Sequence, residues 1–323
     1  MEANLQVQCQ GVQEELAIKI GNAISELLHA LSGLAEPLDF RRMHRIIVTA
    51  DFSQTLAQLS ESSASGNSID HTNEEYAVAV AKVILLPRDD GIEIVPVFNA
   101  QFVSKLVLNE ESEKSSSNFQ YVLHLMHHEF CHVHDDNKKI DALKGVMLKH
   151  THEGKDSLLF PLAEVCWAEY IANYMSSSTA TDNNIEDIAS SFKDAIERTK
   201  GEIDAEIELY RRHANLDHLM NIFQRHGGFL IKCASYTLGY IDGLNVSIGE
   251  LSHEAHDVLK GSYFERTWMR LSEALSKMRE KYPNEWSGLD AYDALVDVMD
   301  SYYQEMGFYL STTEGEGVYV SIP

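Results

Sequence analysis

The chain contains His127-His128-Glu129-Phe130-Cys131-His132 inside the longer run FQYVLHLMHHEFCHVHDDN, and five of its fifteen histidines fall between His124 and His134. His128 and His132 stand four residues apart, with a glutamate directly after the first, which is the spacing H-E-x-x-H. On a helix that spacing puts two imidazoles one turn apart on one face, where both can reach a single zinc ion. Glu129 then lies at the flank of the pair, placed to take a proton from water at that ion. At about 100° per residue, Phe119, Val122, Leu123, Met126, Phe130 and Val133 form one apolar stripe. His128 and His132 fall on the opposite side, with His124 beside them, so they lie outside the stripe where a packed core histidine belongs. The alternative for that side is a solvated polar face. His127 and His134 fall off the ligand face and read as ordinary polar positions, and Cys131 reads as a small buried filler.

A catalytic zinc takes three protein ligands and leaves a fourth position to water. Glu169, in CWAEYIANYM, is the best candidate for the third. On a helix it shares a face with Leu162, Val165, Cys166 and Ala172, and an ionised carboxylate on an apolar face is costly unless a positive group meets it. Asn173, one turn on, is placed to support a ligand by a hydrogen bond. Trp167, Tyr170, Ile171 and Tyr174 make the helix apolar nearly all round, the mark of a buried helix. Glu164 is the rival ligand, on another face near Ile171. For either glutamate the alternative is a structural carboxylate paired with an Arg or Lys from another element. Tyr170, His213, His218 and His226 are each candidates to stabilise an oxyanion.

The elements that must position these residues follow from periodicity. GVQEELAIKIGNAISELLHALSGL repeats apolar residues at three and four and predicts an amphipathic helix. RIIVTAD, Arg45 to Asp51, predicts a strand, and SESSASGNS, Ser60 to Ser68, a loop. YAVAVAKVILLPRDDGIEIVPVFNAQFV predicts two strands around a hairpin turn at Pro87 to Gly91. The serines of ESEKSSSN can cap the motif helix. After an irregular stretch, a helix is expected to start at Pro161. SSSTATDNN, Ser176 to Asn184, marks a boundary, and the chain beyond it is mostly helical. Gly227-Gly228 reads as a helix break; no Lys-Ser/Thr follows, so it is not a phosphate loop. The tail GEGVYVSIP predicts a short strand.

Bulk properties bound the function. A chain of 323 residues suggests two domains, or one with a large helical extension. A net charge of −24 without any Lys- or Arg-rich run argues against a nucleic-acid partner. No segment approaches the ~20 apolar residues of a membrane span, and MEANLQVQCQGVQEEL lacks the features of a secretory signal. The scattered Cys9, Cys131, Cys166 and Cys233 read as reduced thiols, so a cytoplasmic location is expected.

H-E-x-x-H followed by a helix bearing E-x-x-A-[DN] resembles the gluzincin group of zinc metallopeptidases. Within it, Glu169, Ala172 and Asn173 are similar to the glutamate helix of the ImmA/IrrE-type cytosolic proteases, which carries E-x-x-A-N; HEFCH bears a looser resemblance to the phage-exclusion protease family. The resemblance implies His128, His132 and Glu169 as zinc ligands, Glu129 as general base, and a protein or peptide substrate. It also implies an α+β, zincin-like fold in which a small mixed sheet packs on the motif helix. It covers roughly residues 40 to 178, departs from that group in lacking a recognisable DNA-binding module, and leaves a helical carboxy-terminal region unmatched. The expected organisation is a metallopeptidase core over 1–178 and a mostly helical region over 179–323. The metzincin pattern fails, because Asp135 and Lys138 stand where its Gly and His belong. The second expectation, of another class, is a non-catalytic interaction protein on such a scaffold, with metal structural or absent.

Overall fold

A computed structural model describes residues 5–34, 37–61, 73–74, 77–78, 80–89, 91–107, 113–146 and 150–323. The chain is mixed α and β, mostly helical, with a small mixed sheet. Its contacts divide it into two units, residues 1–141 with 179–181, and residues 142–178 with 182–323.

In the first unit the order is β1 (Gln6–Gln10), α1 (Glu14–Ser32), β2 (Arg45–Thr49), α2 (Phe52–Ser60), a short ladder of β3 (Asn73–Glu74) and β4 (Ala77–Val78), β5 (Ala81–Arg88), β6 (Gly91–Asn99), α3 (Ala100–Val103) and α4 (Glu113–Ala142). The sheet order is β1-β2-β6-β5; the β1–β2 and β2–β6 pairs are parallel and the β6–β5 pair is antiparallel. The β5–β6 pairing, Arg88 opposite Gly91, is the expected hairpin. β1 was not expected: QVQCQ offers little β-branched or aromatic character, and its place comes from five paired residues along β2. The loop expected over Ser60 to Ser68 lies almost wholly outside the described residues, as do the side chains of Ser115 to Ser117 at the start of α4.

Period-two alternation gives the sheet two buried faces. Ile47, Ile84, Leu86, Val95 and Val97 pack with Phe52 and Leu56 of α2. From β6, Phe98 meets Phe130 of α4 edge-on, with ring centroids 5.9 Å apart, so the sheet does pack on the motif helix. α1 buries Ile20, Ile24, Leu27, Leu28 and Leu31, an amphipathic spacing of three and four.

The second unit contains α5 (Asp156–Ser176), α6 (Asp182–His213), α7 (Leu216–Phe223), α8 (Phe229–Leu244), α9 (Ile248–Leu251), α10 (His253–Leu259), α11 (Glu265–Lys281), α12 (Asp293–Glu305) and an antiparallel pair, β7 (Tyr309–Thr312) with β8 (Val318–Ser321). β8 is the expected tail strand. α5 starts a turn and a half before Pro161, which lies inside it. The backbone N–H groups of Leu158 and Leu159 already bond the Lys155 carbonyl, so the first turn is closed without the proline, which then costs one later bond.

Gly227-Gly228 does not end the helix as expected. Residues Gln224–Gly228 form a π-helical turn that joins α7 to α8, and Gly227 accepts a hydrogen bond from the Tyr302 hydroxyl at 3.1 Å through its carbonyl. The core of this unit gathers large aromatics, among them Trp167, Tyr170, Phe192, Phe223, Tyr302 and Phe308.

α5 and α8 approach closely because Gly239 and Gly243 face α5. A Cβ on Gly239 would stand 2.5 Å from the Tyr170 carbonyl oxygen, and one on Gly243 would stand 2.5 Å from the Tyr174 carbonyl oxygen. Among the described residues, no helix is long and apolar enough to cross a membrane.

Candidate metal centre

The motif helix α4 is buried on more than its apolar stripe. Val122, Met126, Phe130 and Val133 are fully buried, but so are His127, Asp135 and Asn137, whereas Phe119 lies exposed at one end of the stripe. The helix is fixed by polar tethers from the segment before β2. The Asp39 backbone N–H donates to His134 Nδ1 at 2.8 Å, and Asn137 Nδ2 donates to the Asp39 carbonyl at 2.9 Å. Arg42 donates to Asn137 Oδ1 at 3.1 Å, and Lys138 pairs with the Asp39 carboxylate at 3.1 Å.

His127 and His134 are therefore not ordinary polar positions. His134 receives a backbone donor, and His127 is buried with its Nδ1 2.9 Å from the Thr179 hydroxyl, which also lies 3.1 Å from His124 Nδ1. His127 Nε2 is buried and makes no hydrogen bond. An unsatisfied acceptor is cheaper than an unsatisfied donor, which favours the tautomer in which His127 Nδ1–H donates to Thr179 and Thr179 donates onward to His124. Burial, with His128 adding to it, lowers the His127 pKa to about 4, so this ring is neutral around pH 7. Cys131 is fully buried, as expected of a filler, and burial pushes its thiol well above the usual range.

His128 Nε2 and His132 Nε2 face each other at 3.0 Å, with their rings nearly perpendicular. One ion about 2.1 Å from each nitrogen in tetrahedral geometry would hold them roughly 3.4 Å apart, so the pair has only to open slightly to bind it. His128 is buried; His132 and Glu129 are half-buried.

On α5, Cys166, Trp167, Tyr170, Ile171, Ala172 and Asn173 are buried, while Val165, expected on the Glu169 face, is 39% exposed. Asn173 Nδ2 donates to the Tyr236 carbonyl on α8 at 3.1 Å, which ties α5 to α8. The pairing expected as the alternative for the glutamate is present: Lys232 of α8 places its ammonium 2.9 Å from Glu169 Oε1. Glu169 and Tyr236 hold that ammonium charged, above the ordinary lysine range. Nothing in the spacing of α5 announced this partner, since Lys232 is distant in sequence.

Among the described residues, donor atoms of His128, His132 and Glu169 all lie within 4.8 Å of one another, a group that can hold a metal ion. Two imidazole nitrogens and one carboxylate are a donor set that zinc accepts in hydrolytic sites. Glu164 is not in this group. The Tyr170 hydroxyl donates to Asp242, and Tyr170 is 1% exposed. His213 and His218 turn Nε2 toward Glu206 Oε1 at 3.7 and 3.2 Å, and His226 lies in the π-helical turn.

Compared with protein-family models, curated proteins and solved structures, the chain matches none.

Proposed function

We propose that the chain is a zinc-dependent metallopeptidase of zincin-like fold that cleaves an intracellular protein or peptide. The observation that carries this reading is the convergence of His128, His132 and Glu169 donor atoms within 4.8 Å, with a glutamate directly after the first histidine. When bound, zinc supplies a Lewis acid that acidifies water and polarises a carbonyl. His128, His132 and Glu169 hold the ion. Glu129 takes the proton of the attacking water and later delivers it to the leaving amine. His128 is buried, and Glu169 is held by Lys232 until an ion takes its place.

Elemental analysis of the wild type and of Glu169→Ala tests the centre: about one zinc per chain is expected in the first and a large loss in the second. Glu129→Gln is expected to keep the metal and to lose peptide cleavage by at least about a thousandfold. A wild-type chain that takes up no metal sinks the reading.

One observation favours a second reading, a non-catalytic interaction protein on the same scaffold. The Lys232–Glu169 pair already neutralises the carboxylate without any ion. Metal-free wild type with an unchanged fold would support that reading over the first.

A further inference from the structure

Glu169 offers its carboxylate from a site that is 12% exposed, and Lys232 lies 2.9 Å from Oε1. A cation beside a largely buried carboxylate offsets much of the cost of burying it. Filling the His128/His132/Glu169 group with a divalent ion would set a second, stronger cation against the same carboxylate. Two positive centres a few ångströms apart in a partly desolvated site repel strongly. Lys232 has somewhere else to go: 32% of its side chain is exposed, and the Tyr236 ring, one turn along α8, lies 5.5 Å from the ammonium. An aromatic face is a favourable seat for a displaced ammonium.

We propose that Lys232 is the internal counter-ion of the metal-free centre and competes with the metal for Glu169, thereby setting how tightly the centre fills. This rests on the metal-site reading above. Competition predicts opposite effects in the two states. Lys232→Met removes the charge and keeps an apolar stem. Without metal, the variant loses the Lys232–Glu169 pair and melts at a lower temperature than the wild type. With metal, the repulsion is gone, so binding tightens.

The test uses the full chain stripped with a chelator. Zinc is titrated against a chromophoric chelator, and melting is followed with and without zinc. In Lys232→Met the zinc Kd is expected to fall by about tenfold or more, and zinc is expected to raise the melting temperature by more than in the wild type. Lys232→Arg keeps the charge and is expected to track the wild type. If Lys232→Met does not fold, Lys232→Gln carries the same expectation with a smaller gain. A zinc Kd in the neutral variants that is unchanged or weaker, while the wild type binds zinc, overturns the competition and leaves the metal-site reading standing. A wild type that binds no zinc overturns both.

Discussion

The two helices that supply the candidate ligands are held by different physics. α4 is held by directional polar tethers: Asp39 to His134, Asn137 to Asp39, and Arg42 to Asn137. α5 is held mainly by close contact with α8, made possible by Gly239 and Gly243, and by an aromatic surround. Tethers fix rotation about the helix axis, which is what an i, i+4 ligand pair requires. Close contact fixes distance, which is what a carboxylate opposite a lysine requires.

Widening the α5–α8 contact is the severest way to break this comparison. Gly239→Ala puts a methyl into the Tyr170 carbonyl and is expected to cost about 3 kcal/mol of stability, read by chemical denaturation. A cost below that of any single tether on α4 would mean that α5 is not held by proximity.

Acid is the next strongest test. Burial alone would raise the Asp39 pKa, but the Arg41 hydrogen bonds and the Lys138 charge outweigh it and hold the carboxyl well below its usual range. A depressed acid stabilises the fold above its unfolded value, about 4, and that stabilisation fades as pH falls from there toward the lower folded value. The stability difference between wild type and Asp39→Asn is thus expected to be flat above about pH 5 and to shrink below about pH 4, over a span of ~2 kcal/mol. A difference that grew on acidification would refute the assignment.

Smaller effects sharpen the contrast. Asn137→Leu strips two donated bonds and one accepted from Arg42, and is expected to cost about 1.5 kcal/mol and to speed hydrogen exchange along α4 more than along α5. Arg41→Ala removes the side-chain partner of Asp39 and Asp141 while keeping the backbone donor to Asp39, and is expected to cost about 1 kcal/mol, an effect reduced by about 1 M salt.

How far the sequence reaches can be judged from particular residues. The histidine pair was legible because four-residue spacing on a helix is a local fact that tertiary packing does not alter. The amphipathic α1, the β-branched β2, the hairpin of β5 and β6 and the tail strand were legible for the same reason. Glu169 was legible as an acid on an apolar helix, a position that demands a positive neighbour, but periodicity could not say that Lys232 would be one. The burial of His127 and the exposure of Phe119 and Val165 escaped because a helical wheel names faces without naming what covers them. Residues 179–181 group by contacts with the first unit, and Thr179 is seen to satisfy His127 only once the chain is folded.

The π-helical turn at Gln224–Gly228 carries one residue more than an α-helical path would need. Each residue advances a helix by about 100°, so that surplus residue dictates the azimuth of everything downstream in α8. Lys232, Tyr236, Gly239 and Gly243 form the column directed at α5 only at that azimuth. Excising a single residue from the turn, with every side chain of the column intact, would swivel it a little over a quarter of a revolution and give Glu169 a different neighbour. The electrical character of the centre is thereby governed by chain length at a remote bend, a variable that no inventory of residue types records.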